Sequence, residues 1–162
     1  MTRHSQGIVD PLDFAPVLEQ QGKPGIKFTF TVPTDVTGQT DSKSVLTLKN
    51  RVREAKNHLV ESGLREVDAH EFLAPVSRLL DDSSYWRLQS RGLVIFLAED
   101  YCLPVRVPIE LRDTLTISED FNLLPLAPVI ASDRKIYLLA LAKNAVRLFE
   151  SSRNVITELP LD

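Results

Sequence analysis

The run Leu93-Val94-Ile95-Phe96-Leu97 is apolar without interruption, so an extended chain here shows apolar side chains on both faces. Such a strand has to be covered from both sides, which places it at the centre of a sheet and demands a second layer. A chain of 162 residues supplies enough material for that. At this length roughly 68–70% of the unfolded surface is buried on folding, so neither a metal nor a disulfide is required. Around the run the pattern changes to alternation. Ile26, Phe28, Phe30 and Val32 alternate with Lys27, Thr29 and Thr31, which predicts a strand over 26–32 buried on one face and closed by Pro33. Leu103, Val105 and Val107 alternate around Pro104, whose missing N–H confines that strand to an edge or a bulge. Thr114 to Ile117 makes a fourth short strand.

Between the first strand and the central run the period shifts to that of a helix. Val45, Leu48, Val52, Ala55 and Leu59 recur at spacings of three and four, after a cap at Asp41 or Ser42 and before a stop at Gly63. A second helix is expected from about Asp68, with Asp68 and Glu71 at capping-box spacing and Phe72, Leu73, Val76, Leu79 and Leu80 on its apolar side. Pro75 should bend or restart it. The short connection predicts a helical hairpin. Ser83 is positioned to cap one more turn carrying Tyr85 and Trp86, which read as core aromatics. A Leu/Pro segment from Phe121 to Ile130 holds a short helix begun at Pro125.

The two ends differ from this middle. Residues 1–24, rich in Pro, Gly and Gln, read as a flexible lead-in with at most a turn or two of helix. Ile136 to Ala142, Ala145 to Glu150 and Val155 to Leu159 read as an antiparallel meander, joined at Lys143-Asn144 and at 152–154. Its first strand is apolar on both sides, and three strands without a covering layer are marginal alone. The expectation is therefore an incomplete sheet, the beginning of a longer protein's next domain, whose unpaired edge invites homodimerisation.

Composition removes several classes of function. With 19 Lys and Arg against 22 Asp and Glu, net −3 and pI near 5.6, the chain is not a wholesale polyanion binder, and any nucleic-acid surface must be local; DNA is not an expected partner. Cys102 is the only cysteine, so no internal disulfide forms. The N-terminus lacks an apolar signal core, and no stretch approaches the roughly 20 apolar residues that span a bilayer, which leads us to expect a cytoplasmic protein without a membrane partner. His4, His58 and His70 lack ligand spacing and no Gly-rich phosphate loop occurs, so neither metal nor cofactor is expected. The acidic pairs Asp81-Asp82, Glu99-Asp100 and Glu119-Asp120 end apolar elements, where solvated acids belong. One charge feature stands out. The first long helix carries Lys43, Lys49, Arg51, Arg53 and Lys56 against Glu54 alone. At 100° per residue Lys49, Arg53 and Lys56 fall within about 60° of one another, a stripe able to grip phosphates or simply to face solvent.

Leu79-Leu80-Asp81-Asp82-Ser83-Ser84-Tyr85-Trp86, followed by Gly92 to Leu97, resembles a bacterial family of homologues of the archaeo-eukaryotic peptide-chain release factors. Leu48-Lys49-Asn50 in the basic helix, the paired prolines between Phe121 and Ile130, and the segment from Tyr137 to Glu150 resemble that family in the same order, so the likeness covers roughly Ile26 to Leu161. It implies an N-terminal release-factor-like domain over 25–131 and, over 132–162, the first strands of a truncated ribonuclease-H-like middle domain. The Asn-Ile-Lys-Ser motif of stop-codon reading is absent, as is the Gly-Gly-Gln of peptidyl-tRNA hydrolysis, so this chain is expected to be no enzyme.

The fold class expected is α+β: a small mixed sheet of about four strands packed on a helical hairpin, followed by an incomplete antiparallel β-meander. The function expected is a non-catalytic RNA- or ribosome-binding module of a translation-associated factor for termination, rescue or hibernation. The ribosome or tRNA would be its partner, with Lys43, Lys49, Asn50, Arg53 and Lys56 as the RNA-binding residues. A protein-interaction or scaffolding module that kept the fold is the alternative.

Overall fold

The computed structural model describes residues 15–36, 42–130, 136–142, 145–151 and 156–160. They fall into two compact units, one ending at residue 125 and the other beginning at residue 126. The fold is α+β as expected.

The first unit holds α1 (Ala15–Gln21), β1 (Lys27–Pro33), α2 (Ser42–Glu61), α3 (Glu66–Asp81), α4 (Ser83–Arg87), β2 (Gly92–Ala98), β3 (Tyr101–Val107) and β4 (Thr114–Ser118). The strand order is β3-β2-β1-β4 and every pairing is antiparallel, more uniform than the mixed sheet expected. Pro104 lies opposite Ile95 on the edge strand β3, where its missing N–H leaves no inner ladder bond unmade. The all-apolar run is in β2, an inner strand, buried from Leu93 to Leu97.

One face of this sheet packs on the helical hairpin. Phe28, Phe30 and Val32 of β1 and Leu93, Ile95 and Leu97 of β2 form a single core with Leu48, Ala55 and Leu59 of α2 and Ala69, Leu73 and Val76 of α3. The hairpin turns at Gly63, which takes φ +99°. Its N–H donates to Val60 and that of Leu64 to Leu59, the paired bonds of a Schellman ending. The second helix of the hairpin, α3, begins at Glu66, two residues before the expected start near Asp68. The Asp68–Glu71 capping box does not form, because with the helix starting at Glu66 Asp68 lies inside its first turn, where both carboxylate oxygens accept from Arg65 at 2.6 and 2.7 Å. Pro75 lies inside α3 without restarting it. The cap of α4 is Asp82 rather than Ser83: its Oδ1 accepts the Ser84 hydroxyl and the N–H groups of Tyr85 and Ser84, and these bonds, the hydroxyl's foremost, hold the carboxyl below its ordinary range. Trp86 is buried and donates its indole N–H to Leu79.

The other face corrects the reading of β1. Lys27, Thr29 and Thr31 are buried rather than solvated, so β1 is covered on both sides. The cover is the chain on either side of β4. Phe121 packs edge-on against Phe96, and the Gln21 side chain exchanges two hydrogen bonds with the backbone of Phe121. Each buried polar group of β1 finds a partner there. Thr29 Oγ1 accepts from the Asn122 N–H, Thr31 Oγ1 donates to Arg112 O, and the Lys27 ammonium donates to the carbonyls of Lys23, Gly25 and Glu119. Gly92 is where this layer comes closest: a Cβ there would lie 2.6 Å from Ile109 O. Alternation marked these polar positions correctly but not their burial, since beside the carbonyls of Lys23 and Gly25 close to Lys27 each also needs a partner 81–93 residues along the chain.

A 3-10 turn (Leu124–Leu126) crosses from residue 125 to residue 126, and the second unit holds α5 (Ala127–Ile130) and the meander β5 (Ile136–Ala142), β6 (Ala145–Ser151) and β7 (Ile156–Leu159), in the order β5-β6-β7. The strands match the expected ones closely. The joining segments at 143–144 and 152–154 lie outside the described residues, as does the lead-in up to residue 14. Among the described residues no helix is long and apolar enough to cross a membrane.

Candidate binding groove on the helical hairpin

The antiparallel packing of α2 on α3 leaves a groove along the outside of the hairpin. Helix geometry decides what lines it. The apolar stripe of α2 points to the core, so residues one step further round, Lys49, Arg53 and Lys56, form one wall of the groove. The matching positions of α3 are His70, Ser77 and Asp81, on the other wall. Val45, Val52, Leu73 and Leu80 make the floor, and the cavity measures about 480 Å³. The three cations span roughly 10 Å of helix axis.

Their electrostatic states differ. Among the described residues Lys49 and Arg53 are exposed and have no ion pair or hydrogen bond, whereas Lys56 lies 3.6 Å from Glu66 across the hairpin. Arg51 belongs to another face and is fully engaged: its Nε and Nη2 grip both oxygens of Asp113 at 2.7 and 2.8 Å, and Nη1 reaches Glu54. These carboxylates, Asp113 foremost, raise its pKa further. Of the five expected RNA-binding residues, the structure brings Lys49, Arg53 and Lys56 to one wall. It does not bring Lys43 and Asn50 there. Both are exposed, but Asn50 is turned from the other three by roughly 60–120° and Lys43 by roughly 80–140°. The opposite wall was missed. Its signal is the spacing of seven and four between His70, Ser77 and Asp81, which stacks them on one side of a helix.

The remaining chemistry-bearing residues do not converge. Among the described residues no group of three or more His, Cys, Asp or Glu side chains is placed to hold a metal. His58 and His70 are both exposed, and His4 lies outside the described residues. Glu99-Asp100 is the two-residue turn between β2 and β3, Asp81-Asp82 joins α3 to α4, and Glu119-Asp120 follows β4. Burial pushes the Cys102 thiol up to about 11, so at neutral pH it is protonated and no thiolate nucleophile. A smaller cavity of about 170 Å³ beside Lys27, Glu99 and Asp100 offers no free cation from Lys27, whose ammonium is spent on backbone carbonyls.

No protein-family model matches the chain, and no curated protein matches it.

Proposed function

We propose that the chain is a non-catalytic RNA- or ribosome-binding module of a cytoplasmic, translation-associated factor for termination, rescue or hibernation, and that the α2 wall of the groove is its phosphate-gripping surface. The observation that carries this reading is the pair Lys49 and Arg53. In a chain of net charge −3 they stand side by side without an acidic partner, while Arg51 on the same helix is neutralised by two carboxylates. Unpaired cations aligned along a helix suit successive phosphates, and their counterions are released on binding. Sequence resemblance to release-factor homologues supports the same class of partner. The protein-interaction alternative draws on the apolar floor of Val45, Val52, Leu73 and Leu80, which phosphates do not use.

Replacing Lys49, Arg53 and Lys56 together by Gln tests the proposal. The magnitude of the slope of log affinity against log salt for RNA or ribosomes should fall by roughly 2–3, as three phosphate contacts are lost. The melting temperature should hardly move, because exposed charges contribute little. Filter binding or ribosome co-sedimentation at several salt concentrations reads both quantities. Unchanged affinity and slope remove the stripe, and no association by the unmodified chain leaves the interaction module in its place.

A further inference from the structure

The strand β5 carries the sequence Ile-Tyr-Leu-Leu-Ala-Leu-Ala and, among the described residues, is an edge of its sheet. It has none of the devices by which edge strands avoid pairing: no charge, no proline, no glycine and seven residues of length. Tyr137, Leu138, Leu139 and Leu141 are 58, 49, 56 and 72% exposed. The opposite edge, β7, is built differently. It has four residues and includes Glu158, whose carboxylate is held by Arg147 of β6.

We propose that β5 is the docking strand for a second copy of this chain, the two β5 strands pairing antiparallel about a two-fold axis through Leu139. The choice of occupant rests on charge and on register. Two molecules of net charge −3 repel overall, yet along β5 they meet without a single charged residue, whereas a seam along the four-residue β7 would bring a Glu158 from each copy into the same short contact. In the register centred on Leu139 each large side chain meets a complementary one. Tyr137 faces Leu141 of the second copy, and Leu138 faces Ala140 of the second copy, so bulk meets a gap on one face and an aromatic meets an aliphatic on the other. Two marginal three-stranded meanders become one six-stranded sheet. Closure about a two-fold axis uses up both β5 edges, so this pairing does not propagate through β5, and among the described residues the edges left outside are the short, charged β7 strands.

Cysteine cross-linking reads that register directly. With Cys102→Ala as background, Leu139→Cys places the two sulfurs on the axis, where directly opposed residues have Cα atoms about 4.5–5.5 Å apart and a disulfide fits. Leu141→Cys is more exposed but lies about 14 Å from its own copy, four residues out of register, and cannot be bridged. Under mild oxidation the Leu139→Cys chain should give at least about ten times the cross-linked dimer of Leu141→Cys, reflecting that geometric limit. Sedimentation equilibrium of the unmodified chain should show a monomer–dimer equilibrium, and Leu139→Lys should shift it to monomer by placing two ammonium groups on the axis, with circular dichroism confirming that the meander is kept. A monomer at every concentration up to about 100 µM, well above a micromolar dissociation constant, overturns the proposal. So do open-ended aggregates, and so does cross-linking as fast at Leu141 as at Leu139.

Discussion

The strands β2 and β5 are nearly interchangeable on paper: seven residues each, without charge, apolar on both faces. In the structure they are opposites. Leu93 to Leu97 of β2 are buried completely, while Tyr137, Leu138, Leu139 and Leu141 of β5 are about half exposed or more. The difference comes from what the rest of the chain supplies to each. β2 has the α2–α3 hairpin on one side and the Phe121 layer on the other, with β1 and β3 on its edges. Among the described residues, β5 has β6 on one edge. An uninterrupted apolar strand therefore states a requirement for cover, and only the remaining chain says whether and by what that requirement is met.

The sharpest way to break this comparison is to truncate the same kind of side chain in both strands. Ile95→Ala removes atoms from a fully buried site between two layers and should cost about 2–5 kcal/mol. Leu139→Ala, at dilution sufficient for the monomer, should cost under about 0.5 kcal/mol, because a half-exposed side chain loses little by being shortened. A urea melt followed by the fluorescence of Trp86 reads the first, and amide exchange in the meander reads the second. Equal costs would mean that β5 is as well covered as β2, and the distinction would fail.

A smaller effect tests the far side of the sheet. Lys27→Met keeps the volume of the buried side chain but leaves the carbonyls of Lys23 and Glu119 without their donor. The expected cost is about 1–3 kcal/mol, the penalty of leaving buried acceptors unsatisfied. If the same urea melt shows a gain in stability instead, the ammonium is not what pins the loops before β1 and after β4.

The failures of the sequence reading share a physical cause with this result. Strand and helix identities follow from local periodicity, so β1 to β7 and the hairpin were legible to within about two residues at their ends, and Pro104 confined β3 to an edge or a bulge, of which the edge is observed. What Lys27, Thr29 and Thr31 touch depends on residues 112–122, and alternation contains nothing about them. The Asp68 cap failed because α3 starts earlier, at Glu66, which puts Asp68 inside the first turn, where its carboxylate pairs with Arg65. At the groove, the Lys49–Arg53–Lys56 wall follows from 100° per residue alone. The His70–Ser77–Asp81 wall requires knowing how α3 is rotated against α2.

Arg51 carries the smallest prediction, and it separates a cation tied into the covered unit from cations left free on the same helix. Its guanidinium joins α2 to the chain just before β4 through Asp113, 62 residues away, and also holds Glu54. The bridge is at the surface, with side chains about one-third exposed, so solvent screening limits what it contributes. Arg51→Gln should therefore lower stability by about 0–1 kcal/mol, a shift of a few degrees at most in a thermal melt at low salt and less at high salt. On RNA or ribosomes the same variant should leave the salt slope as it is, because a guanidinium already occupied by two carboxylates releases no counterion on binding a phosphate. The triple Lys49, Arg53 and Lys56 variant should show the reverse pair of effects. If Arg51→Gln flattens the salt slope as much as Lys49→Gln or Arg53→Gln does, the distinction between paired and unpaired cations on α2 loses its basis.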